Sequence, residues 1–392
     1  MPADREPSEF DVEIDRTNTS SSKWDKYRGR DVLPFWVADM DFAMPAFIRT
    51  AIAERLEHPV LGYTRTPEDM VEAFLSWLKR EYGWEVPEEW LVWIPGVVTG
   101  FNLAARAVAQ PGGSVLIPTP VYYPFLSTPR HAGQESIEVP LVKDDDRWVM
   151  DFDAMAAACR AGTRLFMLSN PQNPTGRAYA EEELRQLAAF CLRHDLYLCS
   201  DEIHASIILA PDAGHVPVAA IAPEIAERTI SLYAATKTYN IPGLGCAVAV
   251  IADARLRRDF RRAMVGLVPG IGPLAYAAST AAFADASDWT QRLIGYLRGN
   301  HQRVREVVGA RMTPVEATYL AWIDLTDLGF PDPAARLEAF GIGLSEGGDF
   351  GGPGFVRLNF ACPRSLLDRG LARFEDALAR LSSRPAPETV SD

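Results

Sequence analysis

TISLYAATKTYNIPGL, residues 229–244, is the stretch around which the chain is organised. Ile230 to Tyr233 have the β-branched and aromatic character of a strand. The run stops in small residues, Lys237 follows at once, and a Tyr-Asn-Ile-Pro-Gly-Leu turn takes over. The chain has five lysines (Lys23, Lys26, Lys79, Lys143 and Lys237), although Lys and Arg together total 39. The first four lie beside charged residues and read as solvated surface. Lys237 alone has small, uncharged surroundings. Burial there disfavours the ammonium and lowers its pKa, as a Schiff-base lysine requires; the plainer reading is a surface lysine after a strand.

Around this centre the chain alternates helices with short apolar runs: RLFMLSN at 164–170, LYLCSDE at 196–202, TISLYAAT at 229–236 and AVAVIA at 247–252. Such runs, bounded by turn signals and separated by helical segments, predict a parallel sheet covered on both faces. In sheets of this kind the ligand lies beyond the carboxyl ends of the strands. At those ends stand Asn170-Pro171-Gln172-Asn173-Pro174-Thr175-Gly176-Arg177, then Ser200-Asp201-Glu202-Ile203-His204, then Lys237. An amide, a carboxylate and a lysine therefore reach one rim in chain order. Singly, the Asn-Pro loop is a helix cap, Asp201 or Glu202 an N-cap, and His204 a hydrogen-bonded neutral imidazole. Together they are hard to account for as packing.

Further signals surround this series. Helices are expected at 46–58 and 67–82, separated by Leu61-Gly62-Tyr63-Thr64. Pro95-Gly96 opens a helix whose first N–H groups, at Val97 and Val98, lack intrahelical partners and could hold phosphate. A strand at Val115–Ile117 ends in a Pro-bracketed aromatic turn, where Tyr122 either packs a corner or stacks on a planar ligand. LPFWVADMDF at 33–42 could be the end of a strand that crosses the core. RLRRDFRR at 255–262 reads as a solvated helix face or a subunit contact. Beyond it lies a smaller α+β segment with strands in TYLAWIDL (318–325) and GFVRLNFA (354–361). Arg357 sits inside the second of these and must have a partner, a structural carboxylate or that of a substrate.

Composition excludes several function classes. With 392 residues the chain is long for one core, and 48% apolar with 23% charged residues is ordinary for a globular protein. A net charge of −13 argues against nucleic acid or an anionic membrane surface as the main partner. The five cysteines, Cys159, Cys191, Cys199, Cys246 and Cys362, have no paired metal-site spacing. They indicate a reducing compartment and no structural zinc. MPADREPSEF lacks the features of a signal peptide, so a cytoplasmic protein is expected, and the Pro/Ser/acidic end reads as a disordered tail.

The chain resembles the fold-type I pyridoxal-phosphate enzymes of the aspartate-aminotransferase superfamily, and most closely their MalY/PatB group of cystathionine β-lyases, or C–S lyases. The motifs that carry the resemblance are WVADMDF, GYT, PGVV, TPVYYPF, NPxNPTGR, SDEIH, TKTYNIPGL, TYLAW and FVRLNFACPRSLL, in that order. It implies an α/β fold with a mostly parallel central sheet in a large domain (46–285) and a smaller α+β domain (286–382). Residues 1–45 would belong with the small domain and 383–392 would form the tail. It also implies pyridoxal 5′-phosphate as cofactor, no metal, a small amino-acid substrate, and a homodimer whose subunits share each active site.

On matching positions the resemblance makes Lys237 the cofactor-bearing lysine and base. It sets Asp201 on the pyridine nitrogen, Asn173 on the phenolic oxygen, and Tyr122 against the ring with His204 nearby. The amides of Val97 and Val98 would hold the phosphate with Thr236, joined by Tyr63 from the other subunit. Arg357 would clamp the substrate carboxylate, with the backbone at Val37 and Ala38 close by. His204 and Gly245 stand where aminotransferases commonly carry Tyr and a phosphate-binding Arg, which favours the lyase. Ala234, Gln172 and Ala317 also depart from the group's pattern. The implied activity is α,β-elimination from an S-substituted L-cysteine to a thiol, pyruvate and ammonia. Transamination, or decarboxylation of a cysteine conjugate, is the alternative.

Overall fold

The computed structural model describes residues 8–382; the expected tail at 383–392 lies outside them. Seven strands form the central sheet: β1 (Leu91–Ile94), β2 (Ser114–Thr119), β3 (Glu135–Pro140), β4 (Thr163–Ser169), β5 (Tyr197–Asp201), β6 (Thr229–Tyr233) and β7 (Ala247–Ile251). Their spatial order is β1-β7-β6-β5-β4-β2-β3. Every residue of β2, β6 and β7 is buried. Both faces of the sheet are thus covered, which is why these strands read as continuous apolar runs instead of alternating ones.

One expectation is corrected here. β7 was expected to join a parallel series, but it runs antiparallel to both neighbours, with Val248 opposite Tyr233 and Ala247 opposite Ile94. An apolar run buried on both faces carries no signal of direction, because either orientation buries the same side chains. The reversal has a use. The chain leaves β6 and enters β7 at the same rim, so the connection bearing Lys237 never leaves that rim. β4 and β5 pair in parallel there, with Ser169 opposite Asp201.

Helices cover the sheet. Those that bear on the site are α1 (Ala46–Glu57), α2 (Glu68–Tyr82), α3 (Val97–Ala107), α4 (Glu181–Arg193), α5 (Ala254–Met264) and α6 (Pro273–Phe283). In α2, Met70, Phe74, Trp77 and Leu78 recur at helical spacing and are buried; each such side chain is worth about 1.5–3 kcal/mol. Glu68 and Asp69 at its start and Lys79 and Arg80 at its end complement the helix dipole. Gly83 ends it in the left-handed region, at φ 63°, and its N–H caps the carbonyl of Lys79. α1 and α2 both pack on α6. α5 carries Arg255, Arg258, Arg261 and Arg262 outward and buries Leu256 and Phe260, as its amphipathic sequence predicts.

Beyond α6 come α7 (Trp289–Val308) and a three-stranded antiparallel sheet of β8 (Leu320–Asp324), β9 (Ser345–Glu346) and β10 (Phe355–Asn359), ordered β8-β10-β9. Between β8 and β9 lies α8 (Pro333–Glu338), and α9 (Arg364–Ser382) ends the described chain. Arg357 lies on the central strand β10, opposite Trp322 on one side and Ser345 on the other. Among the described residues no helix is long and apolar enough to cross a membrane.

The segment 33–42 contributes only a short bridge, Leu33–Pro34 with Ile342–Gly343, and then runs irregularly between the two sheets. Polar contacts hold it: Asn359 Nδ2 donates to the carbonyls of Val37 and Asp39, each at 2.6 Å. Here a second expectation fails. Lys23 was read as solvated, yet it is fully buried, its Nζ donating to Asp41 Oδ2 at 2.6 Å and to the Asp39 carbonyl at 3.2 Å. Arg16 binds Asp39 and Asp41 from the other side. Sequence neighbours did not reveal this pair because Asp41 comes from a remote part of the chain, and a buried ammonium is tolerable only with such a partner.

Candidate active site

The rim of the central sheet opens into a cavity of about 990 Å³, which also borders β10 and the 36–38 segment. Lys237, Asp201, Asn173, Tyr122, His204, Val97, Val98, Thr236, Arg357, Val37 and Ala38 all line it. Tyr63 does not; its side chain is fully exposed on the loop between α1 and α2.

Lys237 projects from the β6–β7 connection and its Nζ donates to the Ala38 carbonyl at 2.6 Å. Tyr319, buried beside it, donates its hydroxyl to the same carbonyl at 2.9 Å. Burial pushes the Lys237 ammonium down to about 8, with the Arg357 guanidinium acting in the same direction. Asp201 ends β5. Burial raises its carboxyl to about 7, and its Oδ1 accepts the Ile203 N–H at 3.1 Å. It forms no ion pair among the described residues. His204 is buried against the ring of Tyr319; burial, then Lys237 and Arg357, keep it neutral, and its Nδ1 has no partner.

Arg357 reaches across from β10. Its Nη1 donates to Asn173 Oδ1 at 2.9 Å, and its Nη2 to the Trp36 carbonyl at 2.8 Å and Ser345 Oγ at 3.3 Å. The ring of Phe350 lies 4.6 Å from the guanidinium carbon. No carboxylate pairs with it among the described residues, and its Nε is unpartnered. Burial lowers it to about 10. A buried guanidinium held by neutral acceptors alone leaves its charge for an anion to satisfy.

At the far side α3 points its N-terminus into the cavity. Gly96 precedes it and no side chain caps it, so the amides of Val97 and Val98 remain available. Gly245 lies against this turn: a Cβ there would stand 2.5 Å from the Pro95 carbonyl oxygen. The backbone fills the place where a larger side chain would otherwise enter.

The donor set suits pyridoxal 5′-phosphate. A buried carboxylate without a cation faces the cavity, an amine lies across from it, and uncapped helix amides stand beside Thr236. Tyr122, mostly buried, has its phenol raised to about 12, chiefly by burial, and offers a ring face. Several contributors went unnoticed in the sequence. Trp36 acts through a backbone carbonyl, which no side-chain pattern marks, and Phe350 follows an uninformative Gly-Gly-Asp. Tyr319 was visible inside TYLAW, and only the structure joins it to Ala38.

The class I and II aminotransferase model matches residues 30–374. The chain belongs to that family. Among curated relatives, cystathionine β-lyase PatB of Bacillus subtilis is 34% identical, over 94% of this chain and 100% of that protein. Protein MalY of Escherichia coli is 31% identical, over 94% and 98%. Among solved structures, OvoB superposes with a TM-score of 0.92 at 40% identity, covering 96% of this chain and 100% of that one. The pyridoxal-phosphate-bound C–S lyase of Staphylococcus hominis gives 0.88 at 30% identity, covering 94% and 97%.

Proposed function

We propose that this class I/II family member is a pyridoxal 5′-phosphate-dependent C–S β-lyase that converts an S-substituted L-cysteine to a thiol, pyruvate and ammonia. The observation that carries the reading is Arg357, without a carboxylate partner among the described residues, lining one cavity with Lys237 and Asp201. The names of PatB and of the S. hominis enzyme support the choice of reaction.

The cofactor, when bound, supplies an electron sink for negative charge developing at the substrate Cα. Each residue then has a task. Arg357 holds the substrate carboxylate in a fork and so fixes which Cα bond faces Lys237. The Lys237 amine takes the Cα proton; burial makes it a base effective near neutral pH. Loss of that proton and departure of thiolate from Cβ leave a three-carbon fragment that water converts to pyruvate and ammonia. Asp201 would pair with the pyridine nitrogen and favour its protonation, Asn173 would bind the phenolic oxygen and Tyr122 would stack on the ring. His204, kept neutral by burial, would lie beside the cofactor, and the amides of Val97 and Val98 would hold its phosphate with Thr236.

The working unit in this reading is a homodimer. Tyr63 is fully exposed on a loop that also exposes Val60 and Leu61, which supports its reaching the phosphate of a second copy. A cytoplasmic setting accords with five unpaired cysteines, four of them buried.

Purified protein supplied with pyridoxal 5′-phosphate and an S-alkyl-L-cysteine or L-cystathionine should release pyruvate and free thiol in equal amounts. A cofactor band that responds to amino acids, with neither product formed, would instead indicate transamination or decarboxylation.

A further inference from the structure

Glu202 follows Asp201 at the end of β5, and consecutive strand residues face opposite sides of a sheet. Asp201 borders the main cavity, whereas Glu202 borders a small separate one with Trp77, Ala205 and Phe283. Glu202 is 1% exposed, and no Lys or Arg pairs with it among the described residues. Its Oε2 accepts two hydrogen bonds, from the Tyr233 hydroxyl of β6 and from His215 Nε2 at 2.8 Å. Among the described residues its Oε1 has no partner, and neither has His215 Nδ1. The His215 side chain is itself buried, with the ring of Tyr82 edge-on at 5.2 Å.

With Glu202 as a carboxylate, which only accepts, His215 donates through Nε2. A buried carboxylate with one bare oxygen is costly unless a positive charge offsets it. Among the described residues, the hydrogen-bond partners of the Glu202 side chain are Tyr233 and His215, and of these two His215 alone can carry such a charge. The groups facing Asp201 are Lys237 and His204 within the cavity, Tyr122 beside them, Cys199 on its own strand and Glu202 just after it.

We propose that Glu202 and His215 form a buried charge pair behind Asp201 that sets the negative potential Asp201 presents to the cofactor's ring nitrogen. Both are positioning residues, since neither borders the cofactor cavity. Burial is the main reason the Asp201 carboxyl is raised, and the charge of Glu202 adds to it. A positive charge on His215 would leave the pair nearly neutral and let Asp201 ionise toward the ring nitrogen. The inference rests on the cofactor reading above.

The test titrates the absorbance band of the Lys237-bound cofactor against pH in the loaded wild-type protein and in Glu202→Gln, His215→Gln and the double variant. Removing the carboxylate takes negative charge away, so Glu202→Gln should lower the midpoint by about half a pH unit or more. Removing the imidazolium should raise it by a similar amount, and the double variant should return near wild type. The ring-nitrogen chemical shift of ¹⁵N-labelled cofactor should move in the same order. A lowered melting temperature with both midpoints within about 0.2 units of wild type would make the pair merely structural and overturn the inference. So would shifts of the same sign in both single variants. If Glu202→Gln does not fold, His215→Gln decides alone, and an unmoved midpoint there is a refutation. A wild-type protein with no band at all overturns the cofactor reading and this inference with it, an outcome distinct from the others.

Discussion

The Nζ of Lys237 and the carbonyl of Ala38 are 2.6 Å apart, although the two residues come from different layers of the molecule. Ala38 belongs to the irregular segment held between the sheets by Asn359, and Lys237 to the rim connection of the central sheet. This contact aims the amine into the cavity, and Tyr319, donating to the same carbonyl, stiffens the acceptor. The segment is in turn held by Arg16 and Lys23 on Asp39 and Asp41.

The first prediction concerns the amine. Lys237→Ala should lower turnover by at least about 10²–10⁴-fold, the usual contribution of a positioned general base, and should remove the shifted absorbance of covalently held cofactor. Retained turnover in steady-state pyruvate assays would exclude Lys237 from the chemistry.

Lys237 also predicts a pH dependence in the cofactor-free protein. Only the neutral amine attacks an aldehyde, and burial brings the ammonium down to about 8. The rate of reconstitution with pyridoxal 5′-phosphate should therefore rise with pH and level off above a midpoint near 8. Stopped-flow absorbance across this range would measure it; a midpoint near the ordinary lysine value would mean that the amine is solvated.

How far the sequence anticipates this site depends on the kind of signal. Lys237, Asp201 and Asn173 were legible because strand-end position and residue type are both written locally. The Arg357 requirement was legible as a charge inside an apolar strand, though its neutral partners Trp36, Asn173 and Ser345 were not. Burial of Lys23 was hidden because its partner Asp41 is non-local, and the reversed direction of β7 because two-sided burial erases orientation. Glu202 and His215 stood in plain view without a signal, since only folding puts one against the other.

Asp201 makes the third prediction, through stability. Its carboxyl rises from an ordinary 3.8 to about 7 on folding. The native state therefore binds the extra proton, and the contribution to stability is complete below about pH 4 and lost as pH rises through 7. In cofactor-free protein, urea unfolding should show that Asp201→Asn reduces the stability at pH 5 relative to pH 8 by on the order of 1–3 kcal/mol against wild type, the opposing contribution of the buried neutral His204 being common to both proteins. An identical pH slope in the variant would assign the titration to another group.

Arg357 can be tested by exchange as well as by removal. Arg357→Ala leaves Asn173 and the Trp36 carbonyl without their donor and the substrate carboxylate without its fork. kcat/KM for an S-alkyl-cysteine should fall by about 2–5 kcal/mol in transition-state terms. Arg357→Lys should recover little, because an ammonium cannot reproduce two parallel N–H bonds. Full recovery by lysine would mean that charge alone suffices there.

The last prediction turns on Gly245. A Cβ at this position would approach the Pro95 carbonyl oxygen to 2.5 Å, and that obstacle is backbone, which cannot rotate aside. Gly245→Ala must therefore push the Pro95-Gly96 turn away and tilt the first amides of α3, those of Val97 and Val98. Their grip on a phosphate depends on direction, so cofactor affinity should fall by about 1–3 kcal/mol, the range for a charged hydrogen bond lost or bent. Lys237 is untouched by the change, and its titration in reconstitution should keep its midpoint. Equilibrium dialysis with pyridoxal 5′-phosphate separates the two effects: weaker affinity with an unmoved midpoint places the damage in the phosphate cradle, and unchanged affinity would mean that the turn yields without consequence.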